Sequence, residues 1–175
     1  PQGASGMPNT DLVGTGMPNG VVTGNPGTIY RDTAGTNGAW LWIKKVGTNN
    51  QGWAVLEGDT GWRRITLSTA DFTIAGSSFF QIRRINDMVH FQISDVEPKR
   101  TGEIALVVPS TIPGFRFSGR TSSPAFRGET AIVGAFGVKN ASIYLACTTL
   151  GPWTYGQVST PAVDPWPLTL PGTPA

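Results

Sequence analysis

The residues of this chain that could do chemistry are aromatic and cationic rather than nucleophilic. Trp40 and Trp42 stand two apart in "AWLWIKKV", where an extended strand would turn both to one face and Leu41 and Ile43 to the other. An indole face can stack on the apolar side of a pyranose, which makes the pair a conceivable saccharide platform. Large aromatics in a small module must also meet something, so Trp40 and Trp42, with Tyr30, Trp53 and Trp62, are read as the core of that module or as a contact between chains. A second set lies near the C-terminal end. Trp153 and Tyr155 fall in "LGPWTYGQ", and Trp166 stands between two prolines in "DPWPLTLPG", a setting that excludes a central strand. Loops on a rigid β scaffold concentrate binding residues, so these three are candidate ligand contacts; for Trp166 the alternative is a plug that packs a tail onto a core. Arg116, Arg120 and Arg127 in "PGFRFSGRTSSPAFRGE" offer planar donors for phosphate or carboxylate, or for a neighbour such as Glu129.

Catalytic constellations are thin. His90 is the single histidine and Cys147 the single cysteine, so there is no intrachain disulfide, no thiol pair for a metal and no hydrolytic triad of ordinary type. A glycosidase needs two carboxylates ~5 to 9.5 Å apart, and Glu57, Asp59, Glu97, Glu103 or Glu129 would have to supply them; nothing in their spacing suggests it. The expectation is a protein without catalytic residues, metal or cofactor. Three copies of His90 on a trimer axis could bind a metal, although a half-exposed strand residue is the plainer reading.

The elements that must position these residues are strands. Gly 23 and Pro 14 in 175 residues far exceed the ~12% usual for the two together, and no segment keeps a helical period over three turns. The best helical candidate is one turn around "LSTADF". Only 14% of residues are charged and the formal net charge is +2, which gives no basic field for nucleic acid. No apolar run approaches the ~20 residues of a membrane span. Pro1 in place of Met suggests a fragment or a processed product. "GMPN" at 6–9 and 16–19 punctuates residues 1–26, read as an extended linker or stalk end. Residues 27–66 read as a Trp-rich β meander whose "TAGTNG" and "GTNNQG" supply the positive φ of tight turns. Residues 67–175 read as a β-sandwich head of jelly-roll or related topology.

Within the head, a turn at Asn86-Asp87 pairs Ile85 with Met88, Arg84 with Val89, Ile82 with Phe91 and Phe80 with Ile93. That register puts Gln81, Arg83, His90 and Gln92 on the opposite face, and a slip of one residue would bury them. A second turn, at Lys139-Asn140, would put Ile132, Phe136, Val138, Ile143, Leu145 and Cys147 together.

"GTIYRDTAGTNGAWLWIKKVGTNNQGW", "GDTGWRRI" and the closing "GQVSTPAVDPWPLTLPGTPA" resemble the distal part of minor tail proteins, or tail fibres, of bacteriophages of Gram-positive and particularly actinobacterial hosts. The resemblance covers residues 20–175, and it rests on Gly, Trp, Asp and Pro patterns rather than on a catalytic signature. It implies a homotrimer in which a stalk, joined to other tail proteins and often collagen-like, leads to a small Trp-bearing module and a β-sandwich head. It implies a place in the virion at the distal tail and adhesion to host cell-wall saccharide, without nucleic-acid binding or membrane insertion. The Gly3 and Gly6 spacing would then be the end of the stalk. Two other functions are compatible with the residues: a purely structural tail or decoration protein, and a host-glycan depolymerase.

Overall fold

The computed structural model describes residues 11–107, 112–127, 131–139, 142–151 and 155–175. The chain is all-β and divides into two compact units, one ending at Asp59 and the other beginning at Thr60.

The first unit is a four-stranded sheet in the order β1 (Leu12–Gly14), β2 (Ile29–Asp32), β3 (Ala39–Lys44), β4 (Trp53–Gly58). β1 runs parallel to β2 and the other pairs are antiparallel. The β2–β3 turn is built as its residues dictate: Gly35, Asn37 and Gly38 all take positive φ, a region open to Gly and tolerated by Asn. Its anchor is Asp32. One carboxylate oxygen accepts the Gly16 and Ala34 amides at 2.8 and 2.9 Å, and the other accepts the Thr36 amide at 2.9 Å. Burial alone would raise the Asp32 pKa, but the hydrogen bonds from Thr36, Gly16 and Ala34 outweigh it and hold the group below its ordinary value.

Residues 11–26 are laced to this sheet and do not form the extended linker expected from their Pro and Gly content. The Asn19 amide donates to the Trp53 carbonyl at 2.8 Å and accepts the Trp53 amide at 3.0 Å, while the Trp53 indole donates to the Val22 carbonyl at 2.7 Å. Asn19 thus continues the ladder of β4, satisfying backbone groups that a short sheet would otherwise leave open. The first copy of "GMPN" lies outside the described residues.

The second unit contains β5 (Arg63–Arg64), β6 (Phe72–Ile85), β7 (Met88–Pro98), β8 (Gly102–Val107), β9 (Thr121–Arg127), β10 (Ala131–Lys139), β11 (Ser142–Cys147), β12 (Gly156–Pro161) and β13 (Thr173–Pro174). They form two antiparallel sheets, β8-β11-β10-β9 and β12-β7-β6-β5-β13. The β6–β7 register matches the pairing read from the sequence, and Asn86 takes the positive φ that such a turn demands. Phe80, Ile82, Phe91 and Ile93 from one sheet share a core with Phe136, Val138, Ile143 and Leu145 from the other, all at most 1% exposed. The Phe80 and Phe136 rings meet edge to face at 6.4 Å between centres, so the sheets interlock through aromatic contacts as well as area burial, at about 1.5–3 kcal/mol for each large side chain.

Two expectations are corrected by pairing. Lys139 faces Ser142 and Val138 faces Ile143, so Lys139 is a paired strand residue and not part of a turn; residues 140–141 lie outside the described residues. Phe136, Val138, Ile143, Leu145 and Cys147 still share a buried face, because a shift of two residues in partner preserves the pleat. The Ile132 side chain lies outside the described residues. Trp62 belongs to the second unit, beyond Asp59 and just before β5, and it is not part of the small module's core.

Candidate ligand groove

β9 and β12 are edge strands of the two sheets, and they run close to each other without forming a full ladder. Pro124 in β9 removes a donor from that edge. A single bridge joins Phe126 and Tyr155, with the Phe126 amide donating to the Tyr155 carbonyl at 3.1 Å. The Ser123 hydroxyl donates to the Gln157 carbonyl, closing the seam further along. Alternation in "GQVSTP" buries Gly156, Val158 and Thr160 and turns Gln157, Ser159 and Pro161 outward.

The seam opens into a groove of about 410 Å³, within the range of small-ligand sites. Tyr155 and Phe126 give it aromatic surface; Thr121, Ser122, Gln157 and Ser159 give it hydroxyls and an amide, and no described residue lining it is charged. Tyr155 is 39% exposed and its hydroxyl donates to Gln157 Oε1. The ring is therefore held by its polar end beside the groove it lines. Ser159 Oγ lies 2.8 Å from His90 Nδ1, which ties β12 to β7. A concavity whose described lining is uncharged, with a tethered aromatic ring and several neutral donors and acceptors, suits a polyhydroxylated ligand rather than phosphate.

The other expected contacts are placed elsewhere. Trp166 is 5% exposed and is a plug: the Arg84 guanidinium carbon stands 5.2 Å from its ring centre. Arg116 is drawn to Asp164, with Nε 2.5 Å from Oδ1, while Asp164 Oδ2 accepts the Gly114 and Arg116 amides at 2.8 and 3.2 Å. The pair engages Nε and leaves the Arg116 side chain 56% exposed, and Arg116, Asp164 and Trp166 together line a separate concavity of about 550 Å³. Arg120 is exposed and is not among the residues that line the groove. Trp153, Glu129 and the Arg127 side chain lie outside the described residues.

In the first unit, Tyr30 and Trp53 pack edge to face at 5.9 Å, and Trp42 is 2% exposed. These three are buried within the first unit. Trp40 is not: β3 and β4 carry two opposed bulges, with Trp40 the extra residue on one strand and Leu56 the extra residue on the other. A bulge shifts the pleat by one, so Trp40 and Trp42 do not share a face, and Trp40 is 41% exposed. Lys44, which the sequence reading passed over, is buried against Trp53, and its ammonium donates to the Asn49 and Gln51 carbonyls. Among the described residues no group of three or more His, Cys, Asp and Glu side chains could hold a metal ion. Of the carboxylates considered for glycoside cleavage, Glu103 pairs with Lys139.

No protein-family pattern, curated protein or solved structure matches the chain.

Proposed function

We propose that the chain is the distal part of a tail fibre or minor tail protein of a bacteriophage of Gram-positive, actinobacterial hosts. It acts as a homotrimer with a jelly-roll-like head, in the virion at the tip of the tail. The head adheres to host cell-wall saccharide through the β9–β12 groove, without making or breaking bonds. The observation that carries adhesion is Tyr155: a partly exposed ring tied by its hydroxyl to Gln157 and lining a groove with neutral hydrogen-bonding groups. A pyranose can lay its C–H face on that ring and exchange hydroxyl hydrogen bonds with Ser122, Gln157 and Ser159. Three such sites on one trimer raise apparent affinity by roughly 10² to 10⁴ through effective concentration when a glycan array spans them. Weak individual sites then suffice for firm attachment.

The test is a pull-down on purified actinobacterial cell walls, with mass by light scattering and an assay for released reducing sugar. A trimer that binds walls without releasing sugar, and that loses about tenfold in affinity on Tyr155→Ala, supports the reading. Wall binding unaffected by Tyr155→Ala removes the groove, absence of wall binding leaves a structural tail or decoration protein, and sugar release makes the chain a depolymerase.

A further inference from the structure

Beyond the groove, the two chain segments that form it stay in contact. Phe117 bridges Ala162 antiparallel, as Phe126 bridges Tyr155, and the Val163 amide donates to the Arg116 carbonyl at 2.9 Å. The seam therefore continues past β9 and β12, and it ends at the concavity lined by Arg116, Asp164 and Trp166. Asp164 follows Ser159 of the groove by five residues, no more than roughly 17 Å of chain. Two hollows thus lie along one seam, and charged described residues line only the second.

The charge there is held in place before any ligand arrives. The Asp164 side chain is only 4% exposed, and its carboxylate meets three donors, the Gly114 and Arg116 amides at Oδ2 and Arg116 Nε at Oδ1. Its carbonyl is held as well, by Arg84 Nη2 at 3.0 Å. An arginine gives up rotamer freedom when it grips a ligand, and pairing with Asp164 has already restricted this one. The two terminal nitrogens of Arg116 make no hydrogen bond with a described residue, and the side chain stays 56% exposed. Pro165, Pro167 and Leu168 add an apolar wall, with Leu168 81% exposed.

Asp164 offsets the charge of Arg116, while Asp87 and Asp164 both act on the Arg84 guanidinium against Trp166. Two guanidinium and two carboxylate groups leave no strong net field, so recognition falls to geometry. The terminal N–H groups of a guanidinium run parallel and match two oxygens of one anion.

We infer that the Arg116 cradle is an anion subsite, which takes a carboxylate or phosphate substituent of the same glycan whose neutral sugars lie in the Tyr155 groove. The inference rests on the adhesion reading above and adds a charged group to the ligand. A groove lined by neutral groups accepts charged and uncharged polymers alike; the cradle separates them.

The test uses the full chain and three probes that share one ring, namely glucose, glucuronate and glucose 6-phosphate. Each is titrated by NMR while the Arg116 Nε–H resonance is followed, alongside pull-down on purified actinobacterial walls at low and high salt. At least one charged probe is expected to move the resonance, and glucose is not; a preference for glucuronate assigns the anion as carboxylate, and a preference for glucose 6-phosphate assigns it as phosphate. Arg116→Gln should weaken the charged probes by about tenfold, leave glucose unchanged and remove the salt sensitivity of wall binding. Leu168→Asp, at an exposed position clear of the Asp164 pairs, should also weaken the charged probes, and it decides the matter if Arg116→Gln fails to fold. A resonance that neither charged probe moves, with wall binding still weakened by Tyr155→Ala, overturns the subsite and keeps adhesion. Wall binding that keeps its salt sensitivity in Arg116→Gln overturns the subsite as well, and absence of wall binding overturns both readings. A fall in the assembly's mass in Arg116→Gln would make the cradle a contact between copies and equally overturn the subsite.

Discussion

Arg84 and Trp166 form a lock between the β6–β7 hairpin and the segment that follows β12. The guanidinium covers the indole and donates to the carbonyls of Asn86, Gly114, Asp164 and Pro165 at 2.6 to 3.0 Å. Burial pushes the Arg84 pKa down, and the charges of Asp87 and Asp164 push it back up; a guanidinium stays charged regardless. Gly114 completes the lock, because its φ is positive and a Cβ there would stand 2.4 Å from Pro167 Cβ.

Arg84→Met keeps the stem and deletes the donors, leaving carbonyls without a partner. The expected cost is at least about 3 kcal/mol, read as a lower denaturant midpoint for the second unit with a red-shifted tryptophan emission as Trp166 is uncovered. An unchanged midpoint would mean that the tail docks without the lock.

Asp32 makes the first unit acid-labile. Its folded pKa lies below the ordinary carboxylate value, so the stabilisation is fully present above that value and is lost as pH falls through the folded pKa. Asp32→Asn turns one acceptor oxygen into a donor that faces an amide, at a cost of about 1–3 kcal/mol. Thermal unfolding of the first unit, followed through Trp42 and Trp53, should fall on acidification in the native chain and show a weaker acid dependence in the variant.

These two anchors also mark where sequence legibility ends. The hairpin register was readable because Phe80, Ile82, Val89, Phe91 and Ile93 alternate with polar residues around an Asn-Asp turn, all local information. The Arg84 lock was not, since its partners Gly114, Asp164 and Pro165 lie 30 to 81 residues away and Arg84 sits on the buried face of its strand. Trp40 was misplaced because a bulge leaves no mark in an alternating pattern. The groove was half legible: Tyr155 stood out as a loop aromatic in "LGPWTYGQ", but Ser122 and Gln157 line the same groove only because two sheet edges converge. The outward alternation of Gln157 and Ser159 was the available signal.

Cys147 is expected to be inert in the folded protein. It is 3% exposed, its thiol donates to the Arg100 carbonyl at 3.0 Å, and burial raises its pKa, so little thiolate exists near neutral pH. Iodoacetamide at pH 8 should leave the native thiol unlabelled over hours and modify it within minutes in denaturant. Rapid native labelling would show that the β8–β11 edge opens.

Trp40 gives access to the proposed assembly. It and Leu56 are the extra residues of two opposed bulges, 41% and 46% exposed, and large apolar side chains raised on a small sheet are costly unless another surface covers them. Contact between copies through these residues would protect Trp40 from iodide quenching as concentration rises, while Trp42 and Trp53 stay protected at every concentration. Trp40→Ser with Leu56→Ser should then move the mass from trimer toward monomer while shifting the dilute unfolding midpoint by no more than about 0.5 kcal/mol. A native chain that is monomeric at all concentrations, with Trp40 always quenchable, would remove the trimer and return this raised aromatic to the surfaces open to a ligand.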